Sequence, residues 1–313
     1  MNSSITKKQE NANEHVSTDN SNDKASSSPS KLATLNILNF VFYLINIILT
    51  YGIGTANWIG ESTSNGELSR KYQTIVTPKS AAFSIWGLIF VSQAIFALVQ
   101  LLPKFRGHPM IIDGVGYWYI LVCISQVGWT FAFSFEQIPL SLVFMIAIWS
   151  FLMRLLYSQF NTQSDSTLSE FWLMRFPFAI HAGWITAASA VNTSVVSVWN
   201  EDSAAVQLTV AIVSLAVLHA VSVWVIFVID RPNYTIACVI SWANFWIYGE
   251  LSKPMEIITE TFGNITVNGV KNASLSVCII ILGQIVGHCL SSLIHGLRKK
   301  SQNNMNGIET SPV

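Results

Sequence analysis

Several tryptophans of this chain lie deep inside long apolar segments. Trp86 follows Pro78 by eight residues, which places its ring about 12 Å along a helix that begins at the proline. In hydrocarbon, each indole N–H needs an acceptor on another helix, a water molecule or a ligand. The other tryptophans at comparable depth are Trp129, Trp149, Trp184 and Trp242. These rings predict either ordinary core packing or the walls of a flat, aromatic cavity.

Amide and imidazole side chains fall within the same apolar segments. They are Gln93, Gln126, His181, Asn192, His219, Asn244, Gln284 and His288. Polar side chains inside a membrane are costly, and they therefore face the bundle interior or a cavity. Interhelical hydrogen bonding is the simpler interpretation for most of them. For His181 and His219, axial ligation of a haem is an alternative that the sequence leaves open.

The apolar segments lack the groups that most membrane enzymes and ion-coupled pumps require. Their interiors contain no lysine, aspartate or glutamate, so a retinal Schiff base or a proton-carrying carboxylate has no candidate residue. The sequence also lacks a phosphate-binding loop, a nucleophile motif and a zinc motif. We therefore predict a protein that is not an enzyme, has no metal site and requires no cofactor. Any ligand site would be built from aromatic, amide and imidazole groups.

The elements that must position these residues are transmembrane helices, and the predicted fold class is an all-α membrane bundle. Of 313 residues, 51% are hydrophobic and only 11% are charged, and several apolar runs are long enough to span a bilayer. The eight candidate helices cover about 35–56, 79–102, 115–135, 138–158, 172–198, 204–229, 233–249 and 274–296. The net charge of zero gives no reason to expect a nucleic-acid partner. The predicted partners are membrane lipid and a hydrophobic small molecule.

Charge and composition outside the helices predict the topology. Residues 1–34 form a polar tail that we expect to be disordered, and residues 298–313 form a polar C-terminal tail. The positive-inside rule places both termini in the cytoplasm, because the turns on that side then carry more lysine and arginine. Two glycosylation acceptor sequences, at Asn264 and Asn272, then fall in a long outer loop, 250–273. This arrangement favours an integral, multi-pass protein of the endomembranes or the plasma membrane.

Small residues predict two close helix contacts. Ala179, Gly183 and Ala187 form a stripe on the fifth apolar segment, which indicates tight packing against another helix. Gly283 and Gly287 form a small pair on the last segment. This pair predicts either docking of that helix onto its own bundle or a homodimer.

The second and third predicted helices each contain a group of residues at a defined spacing. After the first long loop, Pro78 is followed by Trp86 eight residues later, and Phe90 lies four residues beyond the tryptophan. In the third helix, Gln126 lies three residues before Trp129. Spacings of three and four residues place both members of a pair on one face of a helix.

The fifth helix completes the pattern with the stretch WITAASAVN, in which Trp184 precedes Asn192 by eight residues. In this order the three groups resemble the translocator-protein family, also called tryptophan-rich sensory proteins or the TspO type. The resemblance covers residues 35–199, which contain five spans. Residues 200–297 carry three additional helices, so the chain looks like a longer branch of that family.

The resemblance implies a five-helix TspO-like core with a ligand pocket beneath the first loop. The residues it assigns to the pocket are Trp86, Phe90, Gln126, Trp129, Trp184 and Asn192. Family members bind porphyrins and other flat hydrophobic molecules, so the implied ligand is a tetrapyrrole and the implied function is a membrane receptor or carrier. One alternative is a secondary transporter of a small neutral solute, completed by the helices within 200–297. Another is a non-catalytic scaffold that binds partners through its tails.

Overall fold

The computed structural model describes residues 32–56, 58–59 and 62–309, with side chains as far as Lys299, and these residues form helices and their connections without a strand. The predicted disordered tail as far as residue 31 and the last residues, 310–313, lie outside this part of the chain. The helices are α1 (Thr34–Gly54), α2 (Asn65–Lys71), α3 (Ile85–Val99), α4 (Trp118–Ser134), α5 (Ile138–Asn161), α6 (Leu168–Glu170), α7 (Phe176–Trp199), α8 (Ala204–Val223), α9 (Tyr234–Leu251) and α10 (Glu256–Glu309). A 3-10 turn, Ser80–Ser84, precedes α3, and π-helical turns cover Met110–Val115, Phe171–Arg175 and Trp224–Val228.

Five helices pack in a closed ring, in the spatial order α1, α3, α7, α5, α4. The centre of the ring is filled by apolar and aromatic side chains, among them the fully buried Phe96, Tyr119, Ile148, Leu152 and Phe178. Helices α8 and α9 pack against the outer side of α7, and α10 packs against α8 and α9. The ring therefore contains the five long helices of residues 35–199, and α8, α9 and α10 lie outside it.

Helix α7 has neighbours on both sides, since it contacts α3 and α5 within the ring and α8 and α9 outside it. Every residue from Pro177 to Ala187 is buried. A helix that is surrounded by protein needs no lipid-facing apolar stripe. It can therefore carry His181, Thr186 and Asn192 without exposing them to hydrocarbon.

Length and composition alone qualify five helical segments as membrane spans, which are Thr34–Gly54, Ser80–Val99, Ile138–Asn161, Ala204–Val228 and Glu256–Lys299. Helix α4 is apolar but shorter. Helices α7 and α9 occupy the positions predicted for the fifth and seventh spans, but their polar residues make them less apolar than the others. The all-helical class is confirmed for the described residues. The count of eight spans stays a prediction, because α4, α7 and α9 do not qualify by length and composition.

The prediction of a long loop over 250–273 is wrong, because most of this segment is helical and α10 begins at Glu256. Its helical geometry is interrupted at Gly263, whose φ of 72° lies in the left-handed region that glycine tolerates. Asn264 and Asn272 are exposed, but they lie on this helix and not in a loop. Ile258, Val267 and Val270 pack into a buried cluster with residues of α8 and α9, and this apolar contact stabilises the helix.

The small pair on α10 does not dock this helix onto its own bundle. A Cβ atom added at Gly283 or at Gly287 would meet no atom within 4 Å. The docking alternative is therefore wrong for these two glycines, and the homodimer alternative stays a prediction.

The first long loop is held against the ends of other helices. Within it, α2 begins with a reciprocal cap, since the Ser64 hydroxyl accepts from the Glu67 N–H at 3.3 Å and the Ser64 N–H donates to the Glu67 carboxylate at 3.0 Å. Lys71, the last residue of α2, forms an ion pair with Glu136 in the α4–α5 turn, and this hydrogen bond holds the pKa of the Glu136 carboxyl below its usual value. Gln73 donates to the Glu250 carboxylate at 3.3 Å. The loop therefore joins the ring to α9.

Glu170 fixes the turn that leads into α7. Its buried carboxylate accepts hydrogen bonds from Ser164 Oγ at 2.7 Å, from the Asp165 N–H at 2.6 Å and from Arg175 Nε at 2.6 Å. Burial alone would raise the pKa of this carboxyl, but the three donors outweigh burial and hold the pKa below its usual value. The folded protein therefore favours the charged form of Glu170.

We expect Glu170→Gln to destabilise the protein by about 1–3 kcal/mol near neutral pH and to have a smaller effect in acid. The folded pKa lies below the unfolded value of about 4.3, so the stabilisation is complete above that value and is lost as the pH falls through the folded pKa. Thermal unfolding in one detergent should show the two proteins converging as the pH is lowered. The exposed Glu201→Gln is the control and should follow the wild type throughout. A difference that persists unchanged in acid would contradict the assigned role of the charge.

Candidate functional site

An aromatic cluster joins α1, α3 and α7 near the end of the ring where the first long loop connects α1 to α3. It consists of Tyr51, Phe83, Trp86, Phe90 and Trp184. The Trp86 ring stacks on Phe90 with centroids 5.5 Å apart, and Trp184 meets Trp86 edge to face at 6.3 Å. Phe83 contacts Trp184 at 5.5 Å, and Tyr51 contacts Phe90 at 5.3 Å. Three predicted pocket residues, Trp86, Phe90 and Trp184, are therefore brought together.

A buried chain of hydrogen bonds leads from α4 to the edge of this cluster. The Tyr119 hydroxyl donates to Gln93 Oε1 at 3.3 Å, and Gln93 Nε2 lies 3.0 Å from His181 Nδ1. All three side chains are fully buried. Because the Gln93 amide uses its oxygen to accept from Tyr119, its nitrogen donates to His181, and the neutral imidazole carries its proton on Nε2. The His181 ring lies 5.7 Å from the Trp86 ring.

His181 Nε2 and Trp184 Nε1 have no hydrogen-bond partner among the described residues, although both atoms are buried. The two residues are three positions apart on α7, so their side chains are neighbours on one helix face. Both rings contact Trp86. The aromatic cluster thus has two unused N–H donors on one side.

The remaining predicted residues, Gln126, Trp129 and Asn192, lie on α4 and α7. Trp129 donates its indole N–H to Asn192 Oδ1 at 3.1 Å, and Asn192 Nδ2 donates to Ser141 Oγ at 3.2 Å. This pairing satisfies the Trp129 indole without a ligand. Gln126 is buried, and neither end of its amide has a partner in the described part of the chain.

Helix α1 connects these two regions. Thr50 Oγ1 lies 3.4 Å from Thr130 Oγ1, and Thr130 lies one helical turn after Gln126 on α4. The next residue of α1, Tyr51, packs on Phe90 of the aromatic cluster. Thr130, one helical turn from Gln126, and Phe90 of the aromatic cluster therefore contact adjacent residues of α1.

The family model described as TSPO-like protein matches residues 36–286, which is most of the chain. The chain belongs to the TSPO-like protein family. The match includes all five helices of the ring and continues through α8 and α9 into α10, beyond residue 199, where the resemblance identified in the sequence ends. Together with the apolar helices, it makes this TSPO-like protein an integral, multi-pass membrane protein. No curated protein and no solved structure matches the chain.

Two cavities of this TSPO-like protein are lined by residues other than the predicted pocket residues. A groove of about 490 Å³ lies between α3, α7 and α9, and a smaller cavity of about 120 Å³ is lined by residues of α1 and α4. The residues lining the groove are Ser84, Ile85, Leu88, Phe176, Ile180, Tyr234, Thr235, Cys238, Val239 and Trp242. Trp242 donates its indole N–H to the Ala82 carbonyl at 3.2 Å. None of the six predicted pocket residues lines either cavity.

One group of side chains has the composition of a metal site, but its hydrogen bonds do not suit a metal. His108, Asp165 and Glu170 bring three potential ligand atoms within 4.8 Å of one another. His108 Nδ1 accepts the Met110 N–H at 3.1 Å, so Nε2 carries the proton and donates to Asp165 at 2.9 Å. The Glu170 carboxylate already accepts three hydrogen bonds. This group is therefore better explained as a structural contact that holds the turn before α7.

Sequence patterns did not identify Tyr51, Phe83 and Tyr119 as parts of the site. Tyr119 lies seven residues before Gln126, a spacing of two helical turns that places both residues on one face of α4. That spacing could have connected them. Tyr51 and Phe83 lie at the ends of their segments, where aromatic residues usually contact the membrane interface.

Proposed function

We propose that this TSPO-like protein binds a flat hydrophobic molecule, such as a porphyrin, at the aromatic cluster, and acts as a membrane receptor or carrier for it. The observation that supports this proposal is the set of buried polar groups without partners beside stacked aromatic rings. They are His181 Nε2 and Trp184 Nε1, and the buried amide of Gln126 on α4 is a further group without a partner among the described residues. An unsatisfied buried polar group costs about 1–3 kcal/mol, so a guest that supplies partners would recover that energy.

The rings supply the apolar part of the site. Indole and phenyl faces attract a planar aromatic guest through stacking and burial of apolar surface. Trp86 is only partly buried, whereas Phe90 and Trp184 are almost completely buried. The rings of the cluster that a guest can reach from outside are therefore Tyr51 and Phe83, which are exposed, and the half-buried Trp86. The proposal assigns no catalytic group.

The proposal includes eight spans, with α4, α7 and α9 crossing the membrane beside the five helices that qualify by length and composition. The polar residues of α7 support this, because they are buried inside the bundle and do not face lipid. With eight spans and both termini in the cytoplasm, the aromatic cluster and the first loop lie toward the outer side. The protein would then reside in the endomembranes or the plasma membrane.

Quenching of intrinsic tryptophan fluorescence by protoporphyrin tests the proposed site. We expect saturable quenching of the purified protein, and Trp86→Ala and Trp184→Ala should each weaken binding about tenfold or more, because each removes a ring that would stack on the guest. Trp224→Ala is the matched control, since this indole is exposed outside the ring of helices. Equal affinities for all four proteins would contradict the proposal.

A further inference from the structure

We propose that His181 and Trp184 form a pair of hydrogen-bond donors that recognises a neutral acceptor, such as a carbonyl oxygen, on the bound molecule. This inference rests on the proposed function, because it names the chemistry that the aromatic cluster would select. Its basis is the direction of the hydrogen bonds around His181. These directions could not be predicted from the sequence, since an isolated histidine in an apolar segment can donate, accept or ligate a metal.

The chain from Tyr119 through Gln93 fixes the state of the imidazole. The Tyr119 hydroxyl donates to the Gln93 oxygen at 3.3 Å, which leaves the Gln93 nitrogen to donate to His181 Nδ1 at 3.0 Å. His181 Nε2 is then an N–H donor. In this state neither ring nitrogen offers a free lone pair, so the arrangement favours donation to a ligand and does not suit axial ligation of a haem.

Trp184 supplies a second donor beside the first. An indole N–H can only donate, and that of Trp184 has no partner in the part of the chain that the structure describes. The His181 and Trp184 rings contact Trp86 with centroids 5.7 Å and 6.3 Å away. Both donors therefore belong to rings that pack on Trp86, the ring against which the proposed guest would lie. An N–H···π contact with the Trp86 ring is the competing explanation, but it is a weak substitute for an acceptor oxygen.

The surroundings favour a neutral acceptor over a carboxylate. Both donors are uncharged, and the interiors of the apolar segments contain neither lysine nor arginine near this position. A carboxylate would be buried there without a cationic partner, which is strongly unfavourable, whereas a carbonyl oxygen needs only hydrogen bonds.

The test compares protoporphyrin with its dimethyl ester, whose ester carbonyls are neutral, by fluorescence quenching in the same detergent. We expect the wild type to bind the ester more tightly than the free acid. His181→Phe and Trp184→Phe keep an aromatic ring but remove one donor each, and each should weaken ester binding about three- to tenfold. His181→Gln retains an amide donor and should restore part of that loss. Phe227→Leu, outside the ring of helices, is the control.

The outcomes separate this inference from the proposed function. If Trp86→Ala weakens binding but His181→Phe and Trp184→Phe bind the ester as well as the wild type, the donor pair is overturned and the site stands. Tighter binding of the free acid than of the ester would also overturn the neutral acceptor. If the wild type binds neither probe, both proposals fail. The comparison of the two probes on the wild type tests the neutral acceptor even where a variant fails to fold.

Discussion

Replacing Gly183 by leucine is expected to lower the stability of the folded protein by at least about 3 kcal/mol, and by alanine by about 1–3 kcal/mol. The alanine result would reverse the usual sign, since Gly→Ala in a helix interior normally stabilises by about 0.5–1 kcal/mol. The reason is the closeness of α7 and α9. The measurement is the apparent midpoint of thermal unfolding in a fixed detergent, together with the yield of monodisperse protein.

The geometry at Gly183 leaves no room for a side chain. A Cβ atom there would lie 2.8 Å from Val239 Cβ and 3.1 Å from Ile236 Cα, both on α9. A backbone atom cannot move aside as the end of a flexible side chain can. Any substitution must therefore separate the two helices, which would open a gap along a contact that buries Ile236, Val239 and Ile240.

Gly283 provides the matched control on α10. A Cβ atom at this position would meet nothing within 4 Å, so Gly283→Ala should leave stability unchanged or raise it slightly. Midpoints that rise equally for Gly183→Ala and Gly283→Ala would show that α7 and α9 do not pack as closely as the structure indicates.

The stripe of small residues on α7 shows which part of the helix packing could be predicted from the sequence. Ala179, Gly183 and Ala187 predicted a close helix contact, and the contact of Gly183 with α9 confirms it. The sequence could not identify α9 as the partner helix, because a stripe of small residues indicates only that another backbone packs closely against α7. Which helix does so depends on the packing of the whole bundle.

The part of α10 before residue 274 was missed, although the sequence contained a pattern that continues into it from the predicted helix 274–296. Val267, Val270, Ser274, Cys278 and Ile281 are all buried, and their spacings of three and four residues are those of one helix face. Average hydropathy hid this pattern, because asparagine, glycine and lysine lie between the buried positions before residue 274. Periodicity would have been the better guide to this helix.

The candidate site was predictable within a helix but not between helices. The spacing of Trp86 and Phe90 predicted that they share a face, and the two rings are stacked. Nothing in the sequence showed that Trp129 would donate to Asn192, since that hydrogen bond depends on the relative position of α4 and α7 along their helix axes. The same limit applies to Gln93, whose partner His181 is 88 residues away in sequence.

Phe178→Ala is expected to destabilise the protein by about 3–5 kcal/mol, because it removes a fully buried ring from the centre of the helix ring. Phe178 lies 4.9 Å from Phe96 and 5.2 Å from Tyr119, and these two rings are themselves 5.8 Å apart. Each pair meets edge to face. Truncation would leave a cavity bordered by two rings that have both lost a neighbour. Thermal unfolding of purified protein measures the effect.

The same substitution should also reach the ligand site, because Tyr119 donates to Gln93 and thereby sets the donor state of His181. A looser Tyr119 would weaken that chain, so we expect Phe178→Ala to reduce ester binding below the wild-type level even at temperatures where the variant is fully folded. Phe227→Ala is the control, since this ring is half exposed and should cost less than about 1 kcal/mol. Equal losses of stability for the two variants would contradict the central packing of Phe178. Unchanged ester affinity in a folded Phe178→Ala protein would show instead that Gln93 holds His181 without support from the aromatic core. The position of the His181 N–H donor would then depend on α3 and α7 alone.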